Sequence, residues 1–351
     1  MSITWSNELN LRVLITGGAG FIGGALIRRL LKKTSVTIFN LDKLSYASDL
    51  KGINNYLKNN NIKNRYHFIK ADLYNRLELD DLISTIDPDI VFHLAAESHV
   101  DKSIEGPEGF IKSNILGTFN LLEALRHHWE KVSSKRRENF RFHHVSTDEV
   151  YGSLGATDKF NENSQYAPRS PYSASKASSD HLVMAWFHTY GFPGLITNCS
   201  NNYGPWQFPE KLIPLAILQA INYKPIPMYG DGKQIRDWLY VEDHIDALLL
   251  ASSKGLCGQN YCIGGYGEKT NEYVLSKICT TLDELRPRKG SYLNLITSVK
   301  DRLGHDRRYA INSSKIKHHL GWEPLIEFDE GLKSTIKWYL QNIDWICGKN
   351  V

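Results

Sequence analysis

A tyrosine four residues before a lysine is a pattern that can support proton transfer coupled to hydride transfer. A nearby lysine ammonium favours ionisation of a phenol, whose pKa is ordinarily about 10, and the phenolate can accept a hydroxyl proton. The two side chains share one face only where the spacing falls on a helix. The chain contains the pattern four times, as Tyr66/Lys70, Tyr172/Lys176, Tyr229/Lys233 and Tyr273/Lys277.

Three of these pairs are predicted to lie in unsuitable surroundings. Tyr66 falls in a predicted strand, and Tyr229 falls in a predicted glycine-rich turn. The spacing of Tyr273 and Lys277 is compatible with a helix, but the pair belongs to the C-terminal half of the chain, where no strand end faces it. The spacing alone therefore carries little information.

The pair Tyr172/Lys176 begins a predicted helix after Ser170-Pro171, just beyond the fifth predicted strand. That strand ends in Ser146 to Glu149, beside the position expected for a nicotinamide ring. Thr147 can supply a hydroxyl that orients the reacting group. We therefore expect Thr147, Tyr172 and Lys176 to form a centre that moves a hydride.

The elements that must position this centre alternate between short apolar strands and longer helical patterns. Each strand is followed by a stretch long enough for a crossover helix, which predicts a parallel sheet covered on both faces. We expect an α/β fold with a doubly wound parallel (Rossmann) sheet. The predicted strands are Arg12-Thr16, Thr37-Leu41, Tyr66-Lys70, Ile90-Leu94, Arg141-Ser146 and Leu195-Asn198.

Beyond Asn201 the pattern changes to frequent prolines and glycine-rich turns. This change predicts a smaller, mixed α/β C-terminal lobe that binds substrate. The expected division is a cofactor-binding domain of residues 10–199 with 235–263, and a substrate-binding domain of residues 200–234 with 264–351. Apolar spacing at Ile22-Leu26-Leu30 and from Phe119 to Leu125 predicts helix positions that face the core.

Gly17, Gly20 and Gly23 lie at the junction of the first strand and the first helix. Glycine there permits a tight turn, close approach of a pyrophosphate and close packing of the helix on the strand. Taken alone, the glycines are equally compatible with a plain tight turn. Asp42 ends the second strand, where a carboxylate can bind a ribose 2′-hydroxyl and would repel a 2′-phosphate. NAD is therefore favoured over NADP.

Polar and small residues also follow the third and fourth strands, at Asp72-Leu73 and at Leu94 to Ser98. Adenine and ribose are expected at these strand ends. The alternative for Asp72 is a helix-capping role.

Composition excludes several other classes of protein. The net charge is only +4 over 351 residues, and no basic run is interleaved with aromatic residues, which argues against nucleic-acid binding. The five cysteines form no C-x-x-C pair, which favours free thiols and a cytoplasmic location. No secretion signal or membrane span is predicted. No metal site is predicted, because the histidine doublets point apart and lack a ligand spacing.

The motifs closely resemble those of the extended short-chain dehydrogenase/reductase family, through TGGAGFIGG, the run from Tyr172 to Lys176, and the run from Asn201 to Gly204. Further stretches resemble the dTDP-glucose 4,6-dehydratase family within it. These stretches are LAAESHVDKSI, STDEVYG, NCSNNYGP, FPEKLIPL, RDWLYVEDH and DRLGHDRRYAI, and they extend along nearly the whole chain.

The resemblance implies an oxidation at sugar carbon 4 with Tyr172 as base, an elimination of water across carbons 5 and 6, and the return of the hydride to carbon 6. Glu149 would remove the proton from carbon 5, and Asp148 would protonate the departing hydroxyl. This role requires a raised pKa for Asp148, through burial or the charge of Glu149. The alternative is that the two carboxylates cap the next turn.

The predicted contacts divide between cofactor and substrate, and Arg236 suits a diphosphate because its guanidinium offers paired donors. Outside the family-like stretch RDWLYVEDH, an arginine such as Arg236 would more often form a surface ion pair with an acid such as Asp237 or Asp243. The cofactor-binding residues are Gly17, Gly20, Phe21, Ile22, Gly23, Asp42, Lys43, Leu44, Ser45, Asp72, Leu73, Leu94, Ala95, Ala96, Ser98, Ser113, Tyr172, Lys176 and Asn202. The substrate-binding residues are Ser98, Thr147, Asn201, Lys211, Leu212, Pro227, Met228, Tyr229, Arg236, Asn271, Asp301, Arg302, His305 and Asp306.

Two stretches depart from the family pattern. Leu303 replaces a usual proline, and Gly265 to Glu268 lacks the usual Gly-His-Asn. Alternatives to a dTDP-glucose enzyme are a dehydratase for another nucleotide sugar such as UDP-glucose, an epimerase of the same fold, or a non-catalytic NAD-binding regulator. The resemblance also implies a homodimer formed through helices such as Gly109-Trp129 and Tyr172-Tyr190.

Overall fold

The computed structural model describes residues 11–60, 62–301 and 304–349. The predicted strands Arg12-Thr16 and Tyr66-Lys70 have the predicted limits, and the other four differ by one residue at one or both ends. The strands are β1 (Arg12–Thr16), β2 (Thr37–Asp42), β3 (Tyr66–Lys70), β4 (Ile90–His93), β5 (Arg141–Thr147), β6 (Gly194–Cys199), β7 (Asn201–Tyr203), β8 (Ile226–Tyr229), β9 (Ile235–Tyr240), β10 (Asn260–Ile263), β11 (Glu268–Thr270) and β12 (Ile296–Val299).

The helices alternate with the strands through the first half of the chain, as the periodicity predicts. They are α1 (Phe21–Lys33), α2 (Lys51–Asn60), α3 (Arg76–Ile86), α4 (Val100–Glu105), α5 (Glu108–Phe110), α6 (Gly117–Lys131), α7 (Ser134–Asn139), α8 (Pro171–Tyr190), α9 (Leu212–Ile221), α10 (Val241–Lys254), α11 (Asn271–Leu285), α12 (Ser314–Leu320), α13 (Phe328–Gln341) and α14 (Ile343–Cys347).

Seven parallel strands form the main sheet in the order β10-β6-β5-β4-β1-β2-β3. The strand order reverses between β1 and β4, which makes a topological switch point above their carboxyl ends. The predicted doubly wound fold is confirmed. The smaller lobe contains the sheets β11-β9-β7 and β12-β8. The segment 235–240, assigned from sequence to the cofactor domain, forms β9 and pairs with strands of this lobe.

Apolar side chains cover both faces of the main sheet. Helices α1 and α10 pack on one face and helices α3, α6 and α8 pack on the other, with Leu26, Leu30 and Leu125 fully buried. Two expectations are wrong. Phe119 is 39% exposed because it faces away from the sheet, and Tyr229 ends β8 instead of lying in the turn that follows it. No helix among the described residues has the length and apolarity needed to cross a membrane.

Candidate active site

A cavity of about 640 Å³ lies between the lobes at the carboxyl ends of the main sheet. Residues that follow each strand from β1 to β6 contribute to its walls, together with residues of α9, β8, β9 and α11. Open parallel sheets bind their ligands at this position. All five residues predicted to be catalytic lie at or directly behind this wall, so the fold brings them together.

The glycine-rich segment forms the turn between β1 and α1 and lines the cavity. Gly17 has a φ of +73°, and a Cβ atom there would lie 2.6 Å from the backbone nitrogen of Ala95. A Cβ on Gly23 would lie 2.3 Å from the Gly17 carbonyl oxygen. Helix α1 begins beside the cavity and has no side-chain cap on its first N–H groups. Those N–H groups and the helix dipole favour an anionic ligand such as a pyrophosphate.

Asp42 lies at the end of β2 and fixes the loops that surround it. Its Oδ2 accepts a hydrogen bond from the Ala19 N–H (3.0 Å), and its Oδ1 accepts from the Leu44 N–H (2.8 Å) and the Ser48 hydroxyl (3.1 Å). The carboxylate is nearly buried but lines the cavity, so unused lone pairs remain available to a ribose hydroxyl. Leu44 itself does not line the cavity.

Asp72 lines the cavity after β3, and its Oδ1 accepts from the Tyr74 N–H at 3.0 Å. Because α3 has Asn75 at its N-cap position, Asp72 does not cap that helix. Lys43 bridges two other wall residues, donating to the Ser113 hydroxyl at 2.8 Å and pairing with Glu97 at 2.7 Å. The other predicted cofactor contacts that line the cavity are Phe21, Ile22, Ser45, Leu73, Leu94, Ala95, Ala96, Ser98 and Asn202.

Tyr172 and Lys176 lie in the first two turns of α8. The helix begins with Ser170 as N-cap, which forms a capping box with Ser173, and with Pro171 at the first helical position. Both reactive side chains are buried and line the cavity. Residue types that favour a helix start thus fix where the phenol and the ammonium lie.

The electrostatics of this pair differ from a simple ion pair. Burial raises the pKa of Tyr172 well above its usual value, and the charge on Glu149 raises it further. Burial lowers the pKa of Lys176 to about 8, against the opposing effect of Asp180. Lys176 Nζ donates to the Val145 carbonyl at 3.0 Å. The protein alone therefore keeps the phenol protonated, and its ionisation calls for a positively charged ligand beside it.

Thr147, Asp148 and Glu149 lie at the end of β5 and in the short 3₁₀ helix that follows it. The Thr147 hydroxyl is hydrogen bonded to Tyr172, accepts from the Glu149 N–H at 3.2 Å and lies 3.4 Å from Asp148 Oδ1. Thr147 and Glu149 line the cavity, whereas Asp148 lies behind the wall and is 2% exposed. Thr147 therefore contacts all three of Tyr172, Asp148 and Glu149.

Burial raises the pKa of Asp148 well above its usual value, and the charges of Glu149 and Asp237 raise it further. Asp148 Oδ2 is buried and has no hydrogen-bond partner among the described residues. A carboxyl group in these surroundings retains its proton near neutral pH, and can act as an acid. Mere capping of the next turn does not explain this position, because Thr147 supplies the cap at Glu149.

Arg236 lies on β9 and lines the cavity. Its guanidinium donates to the Asp306 carbonyl (3.0 Å) and to the Ile235 carbonyl (2.8 Å) and stacks over the Tyr309 ring at 4.4 Å. The other predicted substrate contacts that line the cavity are Ser98, Thr147, Asn201, Lys211, Leu212, Pro227, Tyr229, Asn271, His305 and Asp306.

Some predicted contacts lie away from the cavity wall. Met228 alternates along β8 with Pro227 and Tyr229, which line the cavity, so its side chain points to the other face. Asp301 is exposed and pairs with His305 Nδ1 at 2.6 Å. Arg302 and the departure at Leu303 lie outside the described residues.

Several wall residues were not predicted individually, although their motifs were. Glu210 is one of them and accepts from the Tyr46 hydroxyl at 2.5 Å, whereas Lys211, a predicted substrate contact, donates to the Ser98 carbonyl at 2.7 Å. These contacts join the two lobes across one edge of the cavity. Tyr309 was also missed, because its position under Arg236 depends on tertiary structure.

The comparisons with known proteins agree with this geometry. The family model described as GDP-mannose 4,6 dehydratase matches residues 14–335. A dTDP-glucose 4,6-dehydratase of Neisseria meningitidis serogroup B is 54% identical over 339 residues, covering 95% of this chain and 94% of that protein.

Two solved structures of dTDP-glucose 4,6-dehydratases also match. The enzyme from Bacillus anthracis, in complex with NAD, has a TM-score of 0.82 and 40% identity, covering 96% of this chain and 98% of that one. The enzyme from Streptomyces venezuelae, also with NAD bound, has a TM-score of 0.85 and 37% identity, covering 95% and 98%. With similarity of this extent in both sequence and structure, the chain belongs to the dTDP-glucose 4,6-dehydratase family.

Proposed function

We propose that this chain is an NAD-dependent hydro-lyase that converts dTDP-glucose to dTDP-4-keto-6-deoxyglucose and water. The observation that carries the proposal is the burial of Asp148, which raises the pKa of its carboxyl group, next to Glu149 and Tyr172 on the cavity wall. An epimerase needs one proton acceptor at carbon 4, whereas an elimination needs a second base and an acid. The two neighbouring carboxyl groups, held in different surroundings, supply both.

The residues present fit NAD. Gly17 and Gly20 leave room for a pyrophosphate at the uncapped start of α1, and Asp42 lies where a ribose hydroxyl would bind. A cationic nicotinamide ring beside Tyr172 would also supply the positive charge that favours ionisation of its phenol, whose pKa the protein alone raises. Bound there, NAD would supply a hydride acceptor for sugar carbon 4 and, in its reduced form, a hydride donor for carbon 6, so that no net cofactor would be consumed.

The oxidation at carbon 4 uses Tyr172 as the base. Its phenolate takes the hydroxyl proton as the carbon–hydrogen bond breaks and a 4-ketone forms. Thr147, hydrogen bonded to Tyr172, orients the same hydroxyl. Lys176, four residues further along the same helix, would stabilise negative charge on the phenolate. General-base catalysis of this type contributes about 10² to 10⁴ in rate.

The elimination follows because the ketone acidifies the hydrogen on carbon 5. Glu149, which lines the cavity, removes that proton, and electrons move to expel the hydroxyl from carbon 6. Asp148 gives its proton to the leaving hydroxyl, so that water departs. The contact between Thr147 and Asp148 connects this acid, which lies behind the wall, to the cavity.

The nucleotide diphosphate occupies the part of the cavity around Arg236. The guanidinium presents donors in a fixed plane, which suits phosphate oxygens, and Tyr309 holds that plane by stacking. Lys211 adds a second positive charge at the wall. The buried Asn201 Oδ1, which has no hydrogen-bond partner within the described part of the chain, adds an acceptor for a sugar hydroxyl.

The decisive experiment is product analysis with purified protein, NAD and either dTDP-glucose or UDP-glucose. We expect the 4-keto-6-deoxy product from dTDP-glucose at a kcat/KM at least tenfold above that for UDP-glucose. Absence of this product would refute the proposal, and equal turnover of both sugars would refute the stated nucleotide preference. An epimerase would keep its activity in Glu149→Gln, whereas a dehydratase loses it.

We further propose two functional domains, residues 10–199 with 235–263 for the cofactor and 200–234 with 264–351 for the nucleotide sugar. Limited proteolysis with and without each ligand tests this division.

We propose a homodimer that buries the outer surfaces of α4 to α6 and α8. This proposal is supported by a group of apolar side chains that are 36 to 45% exposed on these helices and the π-helical turn between them, namely Ile104, Ile111, Leu116, Phe119 and Tyr190. Sedimentation tests it, and Phe119→Asp should shift the population to monomers.

A cytoplasmic location and a role in deoxysugar biosynthesis of the rhamnose type complete the proposal. The five cysteines all carry free thiols, which suits a reducing compartment. Fractionation of cells and analysis of their surface glycans after deletion test these two points.

A further inference from the structure

Helix α8 carries a third buried polar side chain in line with Tyr172 and Lys176. Asp180 lies four residues beyond Lys176, so the three residues occupy one face of the helix at successive i,i+4 spacing. Asp180 is 1% exposed and does not line the cavity. A fully buried carboxylate is costly unless it is paired, so its presence needs an explanation.

Three side chains from three other segments donate to Asp180 Oδ2. They are the hydroxyl of Ser146 (2.9 Å), the hydroxyl of Tyr166 (2.9 Å) and the side-chain amide of Asn198 (3.1 Å). Burial alone would raise the pKa of Asp180, but the contact with His144 and nearby positive charge bring it below its usual value. Asp180 is therefore a buried anion.

His144 lies between this anion and the lysine. Its Nε2 is 3.1 Å from Asp180 Oδ1 and 3.3 Å from Lys176 Nζ, and its Nδ1 has no hydrogen-bond partner among the described residues. The Nε2 atom therefore lies within 3.3 Å of both the carboxylate and the ammonium. The ring then connects Asp180 to the immediate surroundings of Lys176.

The other titratable groups around Lys176 are uncharged at neutral pH. Burial lowers the pKa of His144 to about 4 and that of His93 well below its usual value. Burial raises the pKa of Cys199 to about 12, and it also raises that of Tyr172. Asp180 is the carboxylate whose charge opposes the loss of the lysine proton. Around Asp180 itself, Tyr166 and Tyr151 remain neutral because burial raises the pKa of each phenol.

We propose that Asp180 is a positioning residue which, together with His144, keeps Lys176 in its charged form and hydrogen bonded to the Val145 carbonyl. Its kinetic consequence rests on the proposed function. Asp180 touches neither cofactor nor sugar and acts only through the lysine. Without its charge, the buried ammonium loses its proton at lower pH, and the phenolate loses the positive charge that stabilises it.

The test compares Asp180→Asn with Tyr166→Phe. Tyr166→Phe removes one hydrogen bond to the carboxylate and keeps its charge, whereas Asp180→Asn removes the charge. In the pH profile of kcat for dTDP-glucose, the alkaline loss of activity in Asp180→Asn moves to lower pH by about one unit, which lowers the rate at pH 8 by about fivefold. Tyr166→Phe keeps the wild-type profile, and Asp180→Glu restores it in part. Identical profiles for Asp180→Asn and Tyr166→Phe would overturn the proposal.

A measurement without substrate separates this proposal from the proposed function. The pKa of Lys176, lowered to about 8 by burial, lies below that of an unfolded lysine. Asp180 stabilises the fold through Lys176 only while the lysine is charged. The loss of unfolding free energy in Asp180→Asn, relative to Tyr166→Phe, therefore shrinks as pH rises through about 8. A loss that is constant with pH would contradict the coupling, whether or not the protein acts on the nucleotide sugar.

Discussion

Replacing Asp148 with asparagine is expected to lower activity and raise stability. The amide has nearly the same shape but cannot give up a proton as an acid, so elimination slows by about 10² to 10⁴, which is about 3 to 5 kcal/mol of barrier. The oxidation at carbon 4 does not need this acid. Reduced cofactor, seen by its absorbance near 340 nm, should therefore accumulate in Asp148→Asn after addition of dTDP-glucose.

The stability effect follows from the raised pKa of Asp148. When a carboxyl pKa is higher in the folded protein than in the unfolded chain, the unfolded chain ionises first, and stability falls as pH rises towards the folded value. Below about pH 3.9 both states are protonated, and the effect vanishes. We expect Asp148→Asn to raise the free energy of unfolding at pH 7 by on the order of 1 to 3 kcal/mol, and this gain should disappear in acid.

Two variants serve as controls for this prediction. Glu149→Gln should block the exchange of the carbon-5 hydrogen with deuterium from solvent, whereas Asp148→Asn should retain that exchange because its base is intact. Asp80→Asn, which alters an exposed i,i+4 ion pair with Arg76, should change stability by less than about 0.5 kcal/mol. Full turnover by Asp148→Asn, or loss of carbon-5 exchange in it, would refute the assignment of the acid.

Three further predictions concern the base Tyr172, the hydrogen bond between Trp345 and Asp49, and the binding of the diphosphate by Arg236. Tyr172→Phe should lower the oxidation rate by about 10² to 10⁴ while leaving NAD affinity, measured by calorimetry, within about threefold of wild type. Trp345→Phe removes the indole N–H that donates to Asp49 at 2.6 Å, so it should lower the free energy of unfolding, measured by chemical denaturation, by about 1 kcal/mol. Arg236→Lys loses the planar pair of donors, so it should raise KM for dTDP-glucose by about tenfold or more in steady-state assays; an unchanged KM would place the diphosphate elsewhere.

The fold was predictable from sequence because its signals are local. Apolar strands separated by helical stretches define a parallel sheet, and the Ser170-Pro171 start of α8 places Tyr172 and Lys176 correctly. What sequence reasoning missed depends on contacts between distant segments. The exposure of Phe119 depends on how α6 is rotated against its neighbours, and the burial of Asp180 depends on Ser146, Tyr166 and other segments that lie far away in the chain.

The ionisation of Asp148 shows most clearly why the remaining features could not be predicted. The sequence gives the order Thr147-Asp148-Glu149, but two adjacent carboxyl groups of the same intrinsic acidity have no reason to differ until tertiary structure buries one of them. Here the short 3₁₀ helix turns Glu149 to the cavity and Asp148 inwards, near the additional negative charge of Asp237. The acid and the base thus differ because the turn after β5 gives them different surroundings, and the cost of that burial is the stability that Asp148→Asn should recover.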